Sequence, residues 1–254
     1  MSNEVLTAVD DGVMTVTLNR PEARNAVDHR VAELVARAMD ELDSSPHIRV
    51  AILTGANGTF CSGMDLKAFL RGETPIIEGR GFGGLCEAPP KKPLIAAVEG
   101  YALAGGFEMA IACDLIVAAE SAQFGIPEVK RGLVAGAGGL VRLRRQIPAR
   151  LAMELALTGE FITAHRAAAI GMINYVSPVG GALDAAQVMA RRIVANGPLA
   201  VAVSKRVIGE SADWLTTEMF SRQDQLIRPI YSSEDAKEGA KAFSEKRTPQ
   251  WKGR

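Results

Sequence analysis

The segment from Ala96 to Glu128 constrains the fold of this chain more than any other. Its pattern predicts a short apolar strand, a Gly105-Gly106 turn, a helix beginning near Phe107, a second apolar strand and a turn ending at Glu128. Two carboxylates, Glu108 and Glu128, lie just beyond glycine-containing turns. We therefore place the functional site in this segment.

The rest of the chain alternates strand and helix patterns up to about Ala182. Val13 to Leu18 alternates like a half-buried strand, an amphipathic helix pattern follows, and Arg49 to Thr54 is a β-branched-rich strand. This order predicts an α/β fold with a largely parallel sheet. Strand signals then end, so we expect an α/β core over residues 1–195 and a helical region over residues 196–254.

One stretch differs in composition from its surroundings. From Arg71 to Pro93 the sequence is rich in glycine, proline and charged residues. Such a composition is typical of a mobile loop or lid rather than of a core segment.

Composition limits the partners and the location of the protein. The chain has 254 residues and 29 basic against 29 acidic side chains, so no overall positive field favours nucleic acid or anionic lipid. It contains no apolar run long enough to span a membrane, and its first residues do not resemble a signal peptide. We expect a cytoplasmic protein whose three cysteines, Cys61, Cys86 and Cys113, are reduced packing residues.

The inventory of reactive residues excludes several chemistries. The three histidines are scattered and none lies near the glycine-rich turns, so a His-based metal site or a Ser-His-Asp triad lacks its parts. What remains is acid–base chemistry by carboxylates beside main-chain N–H groups. Gly105-Gly106 would leave unpaired N–H groups at a helix N-terminus, and a donor at Gly63-Met64 could complete a two-donor oxyanion hole.

Six motifs in order carry a resemblance to a known family. They are Leu18-Asn-Arg-Pro-Glu-Ala-Arg-Asn-Ala26, Phe60-Cys-Ser-Gly-Met-Asp-Leu-Lys67, Gly100-Tyr-Ala-Leu-Ala-Gly-Gly-Phe-Glu108, Phe124-Gly-Ile-Pro-Glu128, Gly136-Ala-Gly-Gly139 and Ala242-Phe-Ser-Glu-Lys-Arg247. With them the chain resembles the crotonase (enoyl-CoA hydratase/isomerase) family over nearly its whole length. The resemblance implies a crotonase-like α/β spiral of ββα units and a C-terminal helical trimerisation region. It also implies a homotrimer, commonly with two trimers forming a hexamer.

The resemblance also assigns the chemistry. It implies an oxyanion hole made by the N–H groups of Met64 and Gly105, which polarise the thioester carbonyl of an acyl-CoA. Glu108 and Glu128 would hold one water against C3 of a 2-enoyl-CoA while C2 is protonated. Which glutamate is the acid and which the base stays open, since such a pair titrates as a unit.

The coenzyme A contacts follow from the same resemblance. Glu22, Ala23 and Arg24 would run along the CoA moiety and Lys67 would lie near the site entrance. Phe243 and Lys246 would reach the nucleotide from the C-terminal region, across a subunit boundary in one reading. The implied site needs no metal and no cofactor other than the coenzyme A of the substrate.

Two departures from the family pattern bear on the substrate. Ala104 stands where many hydratases have a third glycine, and Ala135 replaces a proline before the Gly136–Gly139 turn. The loop from Arg80 to Leu85 looks more like the carnitinyl-CoA dehydratase branch. We expect an enoyl-CoA hydratase, with carnitinyl-CoA dehydration or a double-bond shift as alternatives on the same scaffold.

A non-catalytic, RNA-binding role is the remaining alternative. One branch of this family binds RNA through a lysine-rich first helix. The corresponding segment here, Asp28 to Asp43, contains no lysine and therefore lacks the basic face that such binding requires.

Overall fold

The computed structural model describes residues 3–254. The strands are β1 Val5–Asp10, β2 Val13–Leu18, β3 Val50–Gly55, β4 Ile76–Ile77, β5 Gly81–Phe82, β6 Leu94–Val98, β7 Tyr101–Leu103, β8 Leu115–Ala119, β9 Gln123–Gly125, β10 Ile162–Thr163 and β11 Tyr175–Ser177. The helices are α1 His29–Ser44, α2 Leu66–Leu70, α3 Gly105–Ala112, α4 Gly139–Gln146, α5 Ala149–Thr158, α6 Ala164–Ala169, α7 Ala182–Val194, α8 Pro198–Ser211, α9 Met219–Tyr231 and α10 Glu234–Glu245, with 3-10 turns η1 Pro21–Ala23 and η2 Pro127–Arg131. No helix within the described range is long and apolar enough to cross a membrane.

The main sheet confirms the prediction of a largely parallel α/β fold. Its six strands lie in the order β1-β2-β3-β6-β8-β11, and only the β1–β2 hairpin is antiparallel. Alternate residues of the central strands enter two cores. Leu53 and Ala96 belong to the larger core, which contains buried residues of α1 and α3, whereas Ile52, Ile95 and Ala97 pack with buried alanines of α7. Helices on both faces explain why these strands are apolar throughout.

Two strand-strand-helix units carry the predicted functional segment. In each unit the first strand, β6 or β8, joins the main sheet, and the second, β7 or β9, joins a three-stranded sheet of order β10-β9-β7. The chain around Cys61 runs parallel to β7 as well. The N–H of Cys61 donates to the Tyr101 carbonyl at 2.9 Å, and the N–H of Leu103 donates to the Cys61 carbonyl at 3.0 Å.

The helix after β7 begins slightly earlier than the sequence predicts. It starts at Gly105 rather than near Phe107, because Ala104 turns the chain sharply with φ 51° and ψ −130°. Both positions of this first turn require glycine, because neighbouring atoms leave no space for a side chain. A Cβ on Gly106 would lie 2.3 Å from the Cys61 carbonyl oxygen, and one on Gly105 would lie 2.3 Å from the Phe82 ring.

The expectation that the stretch from Arg71 to Pro93 lies outside the core is wrong for part of it. It contains the β4–β5 hairpin, and Leu85 and Cys86 are buried in the main core. Gly84 is packed against α1, since a Cβ there would lie 2.2 Å from the Ala32 carbonyl oxygen. Glycine in this stretch therefore permits close packing as well as turns.

The C-terminal region is helical, as predicted. After β11 the chain forms α7 to α10, and neither α8 nor α9 has a buried residue. The carboxyl end is fastened to α10. Asp235 accepts hydrogen bonds from the N–H groups of Lys252 and Gly253, and the Trp251 indole donates to the Ala195 carbonyl. The division at residues 195/196 stays a prediction.

Ala104 gives a stability prediction. A side chain at positive φ is strained by about 1–3 kcal/mol, so Ala104→Gly should raise the free energy of unfolding by about 1 kcal/mol or more, measured by urea denaturation. The matched control is Ala102→Gly in the buried strand β7, which should lower it by roughly 0.5–1 kcal/mol. An equal loss of stability in both variants would contradict the assignment of strain to Ala104.

Candidate active site

A single large cavity brings most of the predicted site residues together. Its volume is about 1780 Å³. The lining includes both predicted carboxylates, both predicted N–H donors and four of the predicted coenzyme A contacts: Met64, Gly105, Glu108, Glu128, Glu22, Ala23, Arg24 and Lys67. The sequence separations are large, so the cavity is a product of the fold and not of one local motif.

The segments that carry the two predicted N–H donors are adjacent in the fold. Met64 bridges to Val27, but the two hydrogen bonds of that bridge use the Gly63 carbonyl and the Asp65 N–H and do not involve the N–H of Met64. Gly105 is the first residue of α3, so its N–H has no acceptor within the helix. The segments touch, because a Cβ on Gly63 would lie 3.2 Å from the Gly105 nitrogen.

Glu108 is a buried carboxylate in the first turn of α3, with only 2% of its surface exposed. Its Oε1 accepts hydrogen bonds from the N–H groups of Ala137 and Gly139, both at 2.8 Å. Burial, and to a smaller extent the Glu128 carboxylate, raise the pKa of Glu108 to about 7 against the opposing effect of the two N–H donors and Arg142. A carboxyl group with such a pKa can exchange a proton near neutral pH.

Glu128 enters the same cavity from η2. Burial raises its pKa above the ordinary value, while its own N–H and the nearby Arg131 lower it. Among residues 3–254, its Oε2 is the buried side-chain oxygen or nitrogen that has no hydrogen-bond partner. An orphaned buried oxygen beside a second carboxylate is suited to binding a polar ligand.

The wall with the predicted coenzyme A contacts is held by a residue that the sequence reasoning did not single out. Arg20 forms ion pairs with Asp28 and Asp65, each at 3.0 Å. Those two aspartates are the N-caps of α1 and α2, so one guanidinium ties both helix starts to the turn that carries Glu22 and Ala23. Its partners are 8 and 45 residues away in sequence, which no local pattern reveals.

Two predicted contacts lie elsewhere. Phe243 and Lys246 are at the end of α10, and neither belongs to the lining of the cavity. The Phe243 side chain is 86% exposed. Contact between these residues and coenzyme A stays a prediction.

Three further parts of the cavity wall were not predicted from the sequence. Phe82 of β5 lies against Gly105, the Gly136–Gly139 turn donates to Glu108, and Arg142 of α4 faces the cavity. The Gly136–Gly139 motif itself is visible in the sequence, but the acceptor of its N–H groups is not.

The cysteines are not part of the predicted chemistry, although Cys86 lines the cavity. All three cysteines are free and buried, as the sequence predicts. Within the described part of the chain, no group of three or more His, Cys, Asp or Glu side chains could hold a metal ion.

Comparison with known proteins decides the family. The family model described as enoyl-CoA hydratase/isomerase matches residues 8–254. The chain belongs to this family. It is 45% identical to enoyl-CoA hydratase EchA19 of Mycobacterium tuberculosis over 95% of this chain and 93% of the relative. It is 40% identical to carnitinyl-CoA dehydratase of Salmonella arizonae over the full length of both.

A solved structure confirms the crotonase fold predicted from the motifs. The crystal structure of enoyl-CoA hydratase EchA1 from Mycobacterium marinum superimposes with a TM-score of 0.98 and 57% sequence identity, covering 100% of both chains. The mixed α/β body and the helical C-terminal region are therefore those of the enoyl-CoA hydratase/isomerase family.

Burial of Glu108 gives a prediction for stability against pH. The folded-state pKa is raised, so the protonated carboxyl favours the fold below about pH 4.5, and this stability is lost as pH rises to about 7. Glu108→Gln removes the titration. Its free energy of unfolding should rise relative to wild type between these pH values by on the order of 3 kcal/mol, at about 1.4 kcal/mol per pH unit.

The measurement is urea denaturation at several pH values, with Glu120→Gln on an exposed turn as the control. A Glu108→Gln variant whose stability runs parallel to wild type from pH 4.5 to 7 would rule out the raised pKa.

Proposed function

We propose that the protein is an enoyl-CoA hydratase that adds water across the C2=C3 bond of a 2-enoyl-CoA thioester. The observation that carries this proposal is the convergence of two carboxylates, the buried Glu108 and the half-buried Glu128, and two main-chain N–H groups on one cavity. Addition of water to an unsaturated thioester requires both kinds of group, because charge develops on the thioester oxygen while a proton is moved.

The N–H groups of Met64 and Gly105 serve as the oxyanion hole. When water attacks C3, electron density shifts to the thioester carbonyl oxygen, and the two donors stabilise the resulting enolate. Each such donor is worth roughly 3–4 kcal/mol in enzymes of comparable chemistry. The N-terminus of α3 adds its positive dipole at the same point.

The two carboxylates serve the water and the proton. Oε1 of Glu108 is occupied by the N–H groups of Ala137 and Gly139, which leaves Oε2 to face the cavity. Glu128 offers a buried Oε2 without a protein partner. One water held between these oxygens can attack C3, and C2 receives the proton. Which of the two carboxylates is the base and which the acid stays open, because the pair titrates as a unit.

The coenzyme A portion is held along the wall built by η1 and α2. We assign Glu22, Ala23 and Arg24 to the CoA moiety and Lys67 to the entrance, and all four residues line the cavity. Phe243 and Lys246 are assigned to the nucleotide end across a subunit boundary. No cofactor beyond the coenzyme A of the substrate enters the proposal, and the protein acts in the cytoplasm.

The carboxylate pair is tested by substitution. Glu108→Gln and Glu128→Gln should each reduce turnover of crotonyl-CoA by about 10²-fold or more, followed by the loss of enoyl-thioester absorbance. Binding of the CoA moiety should persist in both variants, because neither side chain lies on the CoA wall. Near wild-type turnover by either variant would exclude the two-carboxylate mechanism.

Carnitinyl-CoA dehydration is the second candidate, favoured by the full-length similarity to a carnitinyl-CoA dehydratase. The candidates are separated by comparing kcat/KM for crotonyl-CoA and crotonobetainyl-CoA, followed by the loss of enoyl-thioester absorbance, with kcat/KM for a 3-enoyl-CoA, followed by the gain of that absorbance. If kcat/KM is highest with crotonobetainyl-CoA, the protein is a carnitinyl-CoA dehydratase and not an enoyl-CoA hydratase. If kcat/KM is highest with the 3-enoyl-CoA, the protein is an isomerase.

We further propose that residues 196–254 assemble the chain into a trimer, or into two stacked trimers, around an α/β core of residues 1–195. Helices α8 and α9 have no buried residue, although the region carries large exposed apolar side chains. These are Ile208, Leu215, Phe220, Tyr231 and Phe243, exposed by 65% to 86%. Such a surface indicates a contact between protein chains.

The assembly is measurable by sedimentation equilibrium, where the mass should be three or six times 27.0 kDa. Phe220→Glu on α9 should shift the distribution toward smaller species, because it places a charge in the proposed contact. Val9→Glu on the edge strand β1 is the control and should leave the mass unchanged. A wild-type monomer at micromolar concentration would contradict the proposal.

A further inference from the structure

Arg142 is a charged side chain of the cavity wall that the proposed chemistry does not use. It lies on the first turn of α4, is half-buried, and faces the cavity that contains Glu108. Both acceptors of its guanidinium are main-chain carbonyls and not carboxylates. They belong to Cys86, and to Ala137 at 3.5 Å.

The guanidinium lies directly on the turn that holds Glu108. A Cβ on Gly138 would lie 2.2 Å from Nη1 of Arg142, so the space of a side chain at position 138 is taken by the arginine head group. Gly138 also has φ 97°, which favours glycine. The residues on either side of it, Ala137 and Gly139, are the two donors to Glu108.

The second carbonyl connects this turn to the opposite wall. Cys86 ends the segment that begins with β5, and Phe82 of β5 lies against Gly105, the proposed oxyanion donor. The same segment is fixed to α1, because Arg80, which directly precedes β5, pairs with Asp40 of α1. The Arg80 guanidinium also donates to the Ala88 carbonyl, just after Cys86. The Arg142 guanidinium therefore connects the Gly136–Gly139 turn, which donates to Glu108, with the Phe82–Cys86 segment, which packs against Gly105.

We propose that Arg142 is a positioning residue, which braces the Gly136–Gly139 turn against the Phe82–Cys86 segment and thereby sets Glu108 relative to the oxyanion hole. The proposal rests on the proposed function for its kinetic consequences only. A planar guanidinium can bridge two carbonyls, whereas the ammonium of a lysine is a single compact donor group.

The charge of Arg142 has a separate effect. The titratable and charged groups that face Glu108 are Glu128 from η2, Arg142 from α4 and the Cys86 thiol. Of these, only the guanidinium lowers the pKa of Glu108. Its removal should move the titration of Glu108 to higher pH, and a merely structural residue would not do so.

The kinetic test compares Arg142→Gln and Arg142→Lys with Arg144→Gln, an exposed neighbour on α4 that does not line the cavity. With crotonyl-CoA, Arg142→Gln should lower kcat by about 10- to 100-fold, as expected for misplacement of a catalytic group, with KM changed by less than about threefold. The apparent pKa in the pH profile of kcat/KM should move to higher pH. Arg142→Lys should restore the pH profile but only part of kcat.

A second measurement does not depend on activity. The pH dependence of urea denaturation is compared in wild type, Glu108→Gln, Arg142→Gln and the double variant, which isolates the titration of Glu108 by a double-mutant cycle. The decrease in the free energy of unfolding that is due to ionisation of Glu108 should occur at higher pH when Arg142 is replaced. Circular dichroism and the denaturation curves themselves show whether each variant is folded.

The outcomes separate this proposal from the proposed function. An inactive wild-type protein on all the enoyl-CoA substrates would remove the proposed function, while the denaturation cycle would still test the link between Arg142 and Glu108. Unchanged kcat and an unchanged Glu108 titration in Arg142→Gln would overturn the proposal, and so would an equal loss of activity in Arg144→Gln.

Discussion

The site depends on the pair of hydrogen bonds that hold one oxygen of a buried carboxylate. Glu108 is almost completely removed from solvent, and the N–H groups of Ala137 and Gly139 are its protein partners. Without them, the buried charge would be unstable or permanently neutral. The need for these two hydrogen bonds holds the Ala137–Gly139 backbone close to Glu108. Position 139 must then be glycine, because a Cβ there would lie 2.9 Å from the Glu108 carboxylate. The Gly136–Gly139 turn and α3 are therefore one unit in packing, although 31 residues separate the carboxylate from its second donor.

The second half of the site depends on close contact between two stretches of backbone. The chain around Cys61 runs beside β7, and Gly106 permits the contact because it has no side chain to strike the Cys61 carbonyl. Gly63, with φ 101°, then turns the chain beside Gly105, and Met64 follows it into the lining of the cavity. The strained conformation of Ala104 serves the same contact, because Ala104 directly precedes Gly105. It reverses the chain at the start of α3, and backbone strain of this kind is concentrated at functional sites.

The sequence predicts those features whose cause is local. The alternation of apolar strands and helices predicts the parallel sheet, and the motifs around Gly105, Glu108 and Glu128 identify the family that the comparisons confirm. Features that depend on distant main-chain atoms were missed. Arg142 leaves no signal in the sequence because its acceptors are carbonyls, which every residue has. The Arg71 to Pro93 stretch was misinterpreted because its glycines permit close packing against α1 as well as turns.

The geometry also bears on the choice between hydration and dehydration. Both directions pass through the same enolate, so the carboxylates and the N–H donors that serve one direction serve the other. These groups therefore cannot distinguish an enoyl-CoA hydratase from a carnitinyl-CoA dehydratase. The distinction must lie in whichever part of the cavity contacts the acyl group, and Phe82, Leu133, Val134 and Val141 provide an apolar surface there for an acyl chain to cover. Two of them, Val134 and Val141, are 72% and 66% exposed in the single chain. A surface of this kind gains free energy by covering a hydrocarbon chain, whereas recognition of a quaternary ammonium group would fall to other groups of the same cavity, the Phe82 ring and the Glu87 carboxylate.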